Sequence, residues 1–255
     1  MKSLLYSPIA FLILKGVDAH YLFGRLIANN VITPQFEYVR EIAPVYSGVD
    51  TTRTYPFYDV LSPDFRCNRN ATTTGSKTKT VTVAAGSEIG FHVGDLSVSG
   101  GPASLRIFHV GPGSIWLSKA PGALETYEGD GDWFKIASVT SKPGGNYYDW
   151  YLYDMTSWNV TIPSTTPPGQ YLLRIEHIYP RPDKRERPDQ PLVPDTQFFI
   201  SCAQIEITGE GGGTPGPLVR IPGVYQLHQA DVFFDSSGMF DVTKYVAPYP
   251  PVWAG

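Results

Sequence analysis

Apolar and polar residues alternate in short runs along most of this chain, and the runs stop at turn residues. Thr78–Ala84 reads TKTVTVA and ends at Ala85-Gly86-Ser87. Ile89–Val93, Ser104–Val110, Tyr171–Ile178 and Phe198–Thr208 are similar runs rich in β-branched and aromatic residues. A period of two places alternate side chains on opposite faces of a strand. Several such strands between Gly and Pro clusters predict an all-β fold, an immunoglobulin-like antiparallel β-sandwich with long loops and short helical turns. Segments 34–58 and 179–196 carry Pro, Arg, Asp and Tyr without a sustained period. Long loops of this kind on a rigid scaffold are common places for function. Gly209–Pro217 (GEGGGTPGP) has the composition of a hinge, but apolar and aromatic residues return from Leu218 to Trp253, so the tail is expected to pack back on the same domain.

The first residues follow a different pattern. Lys2 precedes an apolar stretch, Leu4 to Leu14, broken by Ser7 and Pro8, and Val17-Asp18-Ala19 supplies a cleavage motif. Residues 1–19 therefore read as a secretory signal peptide, and residues 20–255 as one domain, secreted and extracellular. Lys15 interrupts the stretch, and a membrane span needs roughly 20 apolar residues, so no membrane partner is expected.

Composition narrows the function classes. The 25 Gly and 23 Pro among 255 residues exclude long helical arrays. A formal net charge of -4, with 20 Lys plus Arg against 24 Asp plus Glu, gives no basic face, so no nucleic acid is expected as a partner. The hydrophobic content of 42% suffices for a full core. The cysteine pair, Cys67 and Cys202, reads as a disulfide in an oxidising compartment. The sequons Asn70-Ala71-Thr72 and Asn159-Val160-Thr161 make Asn70 and Asn159 candidate glycosylation sites.

Cleavage after Ala19 gives His20 a free α-amine beside its imidazole. An α-amine has an ordinary pKa of ~7.7 to 8.0, so a metal displaces its proton at modest cost. A second imidazole would complete three nitrogen donors in a T, which suits tetragonal copper. Among His92, His109, His177 and His228, His109 is the best partner. It closes the run SLRIF and precedes the turn Val110-Gly111-Pro112-Gly113.

At this point the residues resemble a known family, the fungal copper-dependent lytic polysaccharide monooxygenases of auxiliary activity family nine. The resemblance runs from His20 to the C-terminus through HYLFGRLIANN, DVLSPDFRCN, VAAGSEIGF, FHVGPGSIWLSKAPG, GDGDWFKI, IPSTTPPGQYLLRIEHI, QFFISCAQIEITGEG, PGVY and YVAPYPPVW. It implies one copper per chain held by His20 and His109. It also implies a polysaccharide substrate (cellulose, β-glucan or hemicellulose), an external electron donor, and dioxygen or hydrogen peroxide as co-substrate. The expected state is a monomer.

The chain departs from the family pattern twice. Gln197-Phe198-Phe199 stands where Q-x-Y is usual, so Phe199 at the axial position keeps the ring and lacks the hydroxyl. Arg181 falls where a histidine is usual. An arginine facing the copper would donate hydrogen bonds to an oxygen-derived anion, with Gln197 as a second orienting group, but it could not shuttle a proton. Alternatively, Arg181 belongs to a solvated loop of alternating charge, Arg181–Arg187. These departures leave as the alternative a non-catalytic copper- or carbohydrate-binding protein of the same fold.

Polysaccharides are gripped by aromatic rings. Tyr225 and Tyr245 match the positions of such rings in the family, and Tyr46, Tyr55 and Tyr58 in the early loop are further candidates. Asp130 and Asp132 in GDGDW read as turn formers rather than paired catalytic carboxylates. No G-x-S-x-G elbow or H-E-x-x-H helix is present, and Gly209–Gly213 lacks the Lys-Ser/Thr of a phosphate loop.

Overall fold

The computed structural model describes residues 20–94, 97–98, 101–102, 105–181, 195–236 and 241–255. The expected signal peptide and the stretch 182–187 of the charged loop lie outside the described residues.

Nine strands build two sheets. The first contains β1 (Arg25–Ala28), β2 (Val31–Ile32), β4 (Glu88–His92) and β9 (Ser157–Thr161), in the order β2-β1-β4-β9. The second contains β3 (Val81–Ala84), β7 (Gly113–Lys119), β8 (Phe134–Val139), β10 (Gly169–Tyr179) and β11 (Gln197–Thr208), in the order β3-β11-β10-β7-β8. A small ribbon pairs β5 (Ser97–Val98) with β6 (Gly101–Pro102). Pairing is antiparallel except that β3 runs parallel to β11, so the second sheet is mixed. All described helices are 3-10 turns of three to five residues. None is long and apolar enough to cross a membrane.

Alternation along β10 and β11 sorts their residues between two cores. Leu173 and Ile175 of β10 and Phe199, Ala203 and Ile205 of β11 face the first sheet, where they meet Leu26, Ile89, Phe91 and Trp158. Leu172 and Ile178, with Phe198, Ile200 and Cys202, face the other way, under a cover of loops carrying Phe65, Ile221, Tyr225 and Val232. The sheet is thus buried on both faces, which explains why β7, β10 and β11 read as nearly continuous apolar runs. The Cys67–Cys202 disulfide ties the loop cover to β11.

One buried ion pair sits in this second core. Arg174 and Glu176, both fully buried on β10, lie 2.7 Å apart. Glu176 also accepts hydrogen bonds from the Tyr225 hydroxyl at 2.6 Å and from Ser114 at 3.3 Å. Such a network is expensive to break, because removing one partner strands the other charge in a dry interior. The tail follows the same logic. Lys135 donates to the Pro248 carbonyl at 2.7 Å, and Val219 bridges Trp133, so residues after Pro217 return to the domain.

One expected strand does not form. Residues 105–110 are irregular, held by Ile107 N–H donating to Met155 O at 2.7 Å and Asp154 N–H donating to Ile107 O at 2.9 Å. Ile107 is drawn into the core between the sheets while Arg106 pairs with exposed Asp154, so the apolar run is satisfied by packing instead of a ladder. The strand β7 begins after the turn, at Gly113. Gly111 itself has φ +135, and a Cβ there would meet the Ile178 carbonyl oxygen at 1.8 Å, so the turn that carries His109 presses directly on β10.

Candidate metal centre

The open end of the β10–β11 pair positions most of the candidate site. Register sets His177 opposite Phe199 and Tyr179 opposite Gln197. Because the period is two, all four project to the side of the sheet that faces the N-terminal segment and the His109 turn. Three chain regions therefore converge: His20-Tyr21, the turn after His109, and the strand ends.

His20 and His109 are brought together with ring centroids 6.4 Å apart. His109 Nε2 is buried and has no hydrogen-bond partner. A buried polar atom left unpaired is costly unless something else satisfies it, and an imidazole lone pair beside a second imidazole is suited to a metal ion. Burial pushes the His109 pKa down to about 3, with His20 and Arg181 adding to the effect. The neutral, ligand-competent form is thus the resting one. Among the described residues no cluster of three His, Cys, Asp or Glu side chains forms. The pair fits copper only with a third nitrogen, which the His20 main-chain nitrogen would supply as an amine once the chain is cut before it.

Aromatic groups surround His109 on two sides. Beneath it lies Phe199, 5.4 Å away, buried and stacked on Tyr21 with centroids 4.1 Å apart and planes 15° apart. The Tyr21 hydroxyl hydrogen-bonds His177 Nδ1, and His177 Nε2 lies 3.3 Å from the Gly111 carbonyl oxygen. Burial holds the Tyr21 hydroxyl well above the usual phenol range and pushes His177 down to about 3. Beside His109 lies Tyr179, stacked at 4.3 Å and 6°. Its hydroxyl is 3.5 Å from that of Tyr147, and the Arg181 guanidinium carbon is 5.5 Å from its ring centroid.

Arg181 lies on the outer face of Tyr179. It pairs through Nε with Asp195 Oδ2 at 3.2 Å, and Thr196 Oγ1 bridges its backbone, accepting from N–H at 3.2 Å and donating to the carbonyl oxygen at 2.9 Å. Gln197, also nearly buried, has an Oε1 without a partner. Phe199 is in ring contact with His109. The sequence reading did not single out Tyr21 or Tyr179. Tyr179 was within reach of pattern, since it lies two residues beyond His177 on the same face of β10.

The sugar-platform assignments of Tyr225 and Tyr245 are corrected. Tyr225 is 1% exposed and its hydroxyl is committed to Glu176. Tyr245 is 8% exposed, packs against Trp150 at 5.2 Å and donates to the Asp231 carbonyl at 2.7 Å. Neither can offer a face to a sugar. The exposed rings are others. Tyr46 is 60% exposed and touches Tyr55, which lies 4.8 Å from His20. Tyr148 is 58% exposed and contacts Tyr147 at 4.8 Å. Asn70 and Asn159 are both exposed, and Asp132 pairs with Arg220 at 2.9 Å on the surface.

Comparison with known proteins gives the family. The family model of Auxiliary Activity family 9, formerly GH61, matches residues 20–245. The chain is 38% identical over 243 residues to an AA9 family lytic polysaccharide monooxygenase G of Aspergillus tamarii, covering 94% of this chain and 67% of that protein. It is 35% identical over 273 aligned residues to an AA9 family lytic polysaccharide monooxygenase U of Thermothielavioides terrestris, covering all of both. The crystal structure of HiLPMO9B superposes with a TM-score of 0.72 at 25% identity, covering 92% of this chain and 100% of that one. The chain therefore belongs to Auxiliary Activity family 9, the lytic polysaccharide monooxygenases.

Proposed function

We propose that this monooxygenase is secreted, that removal of residues 1–19 frees the His20 amine, and that one copper ion is held by that amine and the imidazoles of His20 and His109. The observation that carries the reading is the buried, unpartnered His109 Nε2, on a ring whose centroid lies 6.4 Å from that of His20. Copper supplies one-electron redox chemistry that the side chains lack. The protein's part is to hold neutral imidazoles in place, keep the floor of the site dry, and aim polar groups at it. Phe199 and Tyr21 exclude water from below. The Gln197 side-chain amide, through its Nε2–H donors, and the Arg181 guanidinium are the groups available to orient an oxygen-derived anion. Arg181 is anchored for this by Asp195 and by the Tyr179 ring.

Arginine stays protonated at any working pH, so it stabilises charge without delivering a proton. Protons for the reaction then come from water or reductant. The substrate is a β-linked polysaccharide, cellulose or an associated β-glucan or hemicellulose, and the electron donor is external, with dioxygen or hydrogen peroxide as co-substrate. Tyr46 and Tyr148 are the rings placed to meet the sugar chain, on the strength of their exposure and their contacts leading to His20 and His109. The exposed Asn70 and Asn159 are the glycan acceptors, and the protein works as a monomer.

The test is spectroscopic and then chemical. Copper-loaded protein starting at His20 is expected to show a tetragonal Cu(II) EPR spectrum with nitrogen couplings, and His109→Ala is expected to abolish it. An unchanged spectrum in that variant would sink the assignment. Oxidised oligosaccharides are then expected only with reductant and polysaccharide together, on a panel of cellulose, xyloglucan and xylan. Tight copper binding with no product on any of them would favour a copper- or carbohydrate-binding role without turnover.

A further inference from the structure

The phenol missing from position 199 has a counterpart one layer below. Tyr21 stacks on Phe199 at 4.1 Å and lies 6.2 Å from the His109 ring. Its hydroxyl is buried and hydrogen-bonded to His177 Nδ1, itself fully buried. The tautomer of His177 is fixed by its other partner. The Gly111 carbonyl can only accept, so the ring nitrogen 3.3 Å from it, Nε2, carries the hydrogen. Nδ1 is then a bare lone pair, and the phenol O–H must donate to it. Tyr21 thus has a dedicated proton acceptor in a place where water is not at hand.

We infer that Tyr21 and His177 form a proton-coupled redox pair that gives up one electron to the centre at His20 and His109 when no polysaccharide is in place. The inference rests on the copper reading above. Its step balances as follows. Hydrogen peroxide takes one electron from the centre, already reduced by the external donor, and, through the centre, one from the Tyr21 phenol; its O–O bond breaks and both oxygens leave as hydroxide. Loss of that electron makes the O–H strongly acidic, and the proton crosses the existing hydrogen bond to His177 Nδ1. The products are a neutral tyrosyl radical and an imidazolium whose Nε2–H still donates to Gly111 O. One further electron from the reductant restores the phenol, and the proton returns from His177. Phe199, in ring contact with both Tyr21 and His109, bridges the two electronically but has no proton to release. Tyr179 also stacks on His109, yet its hydroxyl meets another phenol, Tyr147, instead of a base.

The experiment uses copper-loaded protein, reduced with ascorbate, mixed with hydrogen peroxide without polysaccharide, and freeze-quenched for EPR. A tyrosyl signal is expected in the wild type and in Tyr179→Phe. It is expected to be lost in Tyr21→Phe and in His177→Gln, which cannot take the proton. The Cu(II) spectrum recorded beforehand separates the two readings. With that spectrum intact, absence of a radical in the wild type, or its persistence in Tyr21→Phe, overturns the pair alone. A wild type without the copper spectrum overturns the copper reading and the pair with it. Should Tyr21→Phe not fold, mass mapping of oxidised tyrosines in the treated wild type decides. Modification at Tyr21 supports the pair, and modification confined to Tyr179 or Tyr148 overturns it.

Discussion

The two layers around His109 are built on different principles. Below, Tyr21, His177 and Phe199 are buried to 2% exposure or less and joined by stacking and a closed hydrogen-bond chain to Gly111. His177 and Phe199 are placed by the register of β10 on β11, and Tyr21 by the N-terminal segment that packs on them. To the side, Tyr179, Tyr147 and Arg181 are only partly buried. Tyr179 closes β10 opposite Gln197, but Tyr147 and Arg181 lie outside the strands, and the three are held by ring contacts, a long hydroxyl contact of 3.5 Å and one ion pair from the start of the loop. A layer fixed by strand register and burial resists change, and altering it costs stability. A layer fixed by loops and stacking tolerates change, and altering it moves the groups it supports.

The largest expected effect comes from emptying the lower layer. Phe199→Ala removes a fully packed ring between Tyr21 and His109, and large-to-small changes of this kind cost about 3 to 5 kcal/mol. Chemical denaturation of the metal-free protein measures it. A loss under about 1 kcal/mol, the range of an ordinary surface change, would show that the layer is not the rigid floor described.

Next in size is a pH effect confined to the same layer. Burial lowers His177 to about 3, against about 6.5 in an unfolded chain. Between these values the unfolded state binds more protons, so stability falls as pH falls. The contribution is fully present above about pH 6.5 and is lost at up to about 1.4 kcal/mol per pH unit on the way down to about 3. His177→Gln has nothing to titrate, so with copper chelated its stability should decline less steeply than that of the wild type by that amount. Parallel curves would contradict the buried neutral histidine.

The side layer answers differently. Tyr179→Ala removes a stacked ring from His109 and a support from Arg181. The stability cost is expected to be modest, about 1 kcal/mol, in line with single aromatic and cation–π contacts. The copper is expected to stay bound while its EPR parameters shift, because the imidazole loses the ring that fixes its plane. A large stability loss with an unchanged spectrum would place Tyr179 in the lower class.

What the sequence made legible follows the same division. Alternation found β3, β4, β10 and β11, because strand period is a local property of the residues. The disulfide and the approach of His20 to His109 followed from redox context and from resemblance. Residues 105–110 defeated the pattern, since whether Ile107 joins a ladder or plugs the core depends on Met155 and Asp154, far along the chain. Tyr225 and Tyr245 failed for a related reason. A tyrosine suits a wet surface or a core with a partner for its hydroxyl. The partners, Glu176 and the Asp231 carbonyl, are contacts that only the fold creates. Arg181 was the open case: its guanidinium pairs with Asp195 and lies over the Tyr179 ring, contacts that the sequence did not reveal.

The smallest effect on stability should accompany a clear effect on binding. Tyr46 and Tyr148 are 60% and 58% exposed, so Tyr46→Ala and Tyr148→Ala should each change stability by no more than about 0.5 kcal/mol. Each ring removed from a sugar face should weaken binding to an insoluble polysaccharide by about 1 kcal/mol, or roughly five-fold. Tyr225→Phe is the contrast. It takes away the phenol that donates to buried Glu176, so it should lower stability by about 1 to 3 kcal/mol and leave the binding isotherm where it was. If the two surface variants bind as the wild type does while Tyr225→Phe binds poorly, the substrate approaches over the tail and not across the ends of the histidine pair. Tyr46 and Tyr148 would then be exposed for another reason.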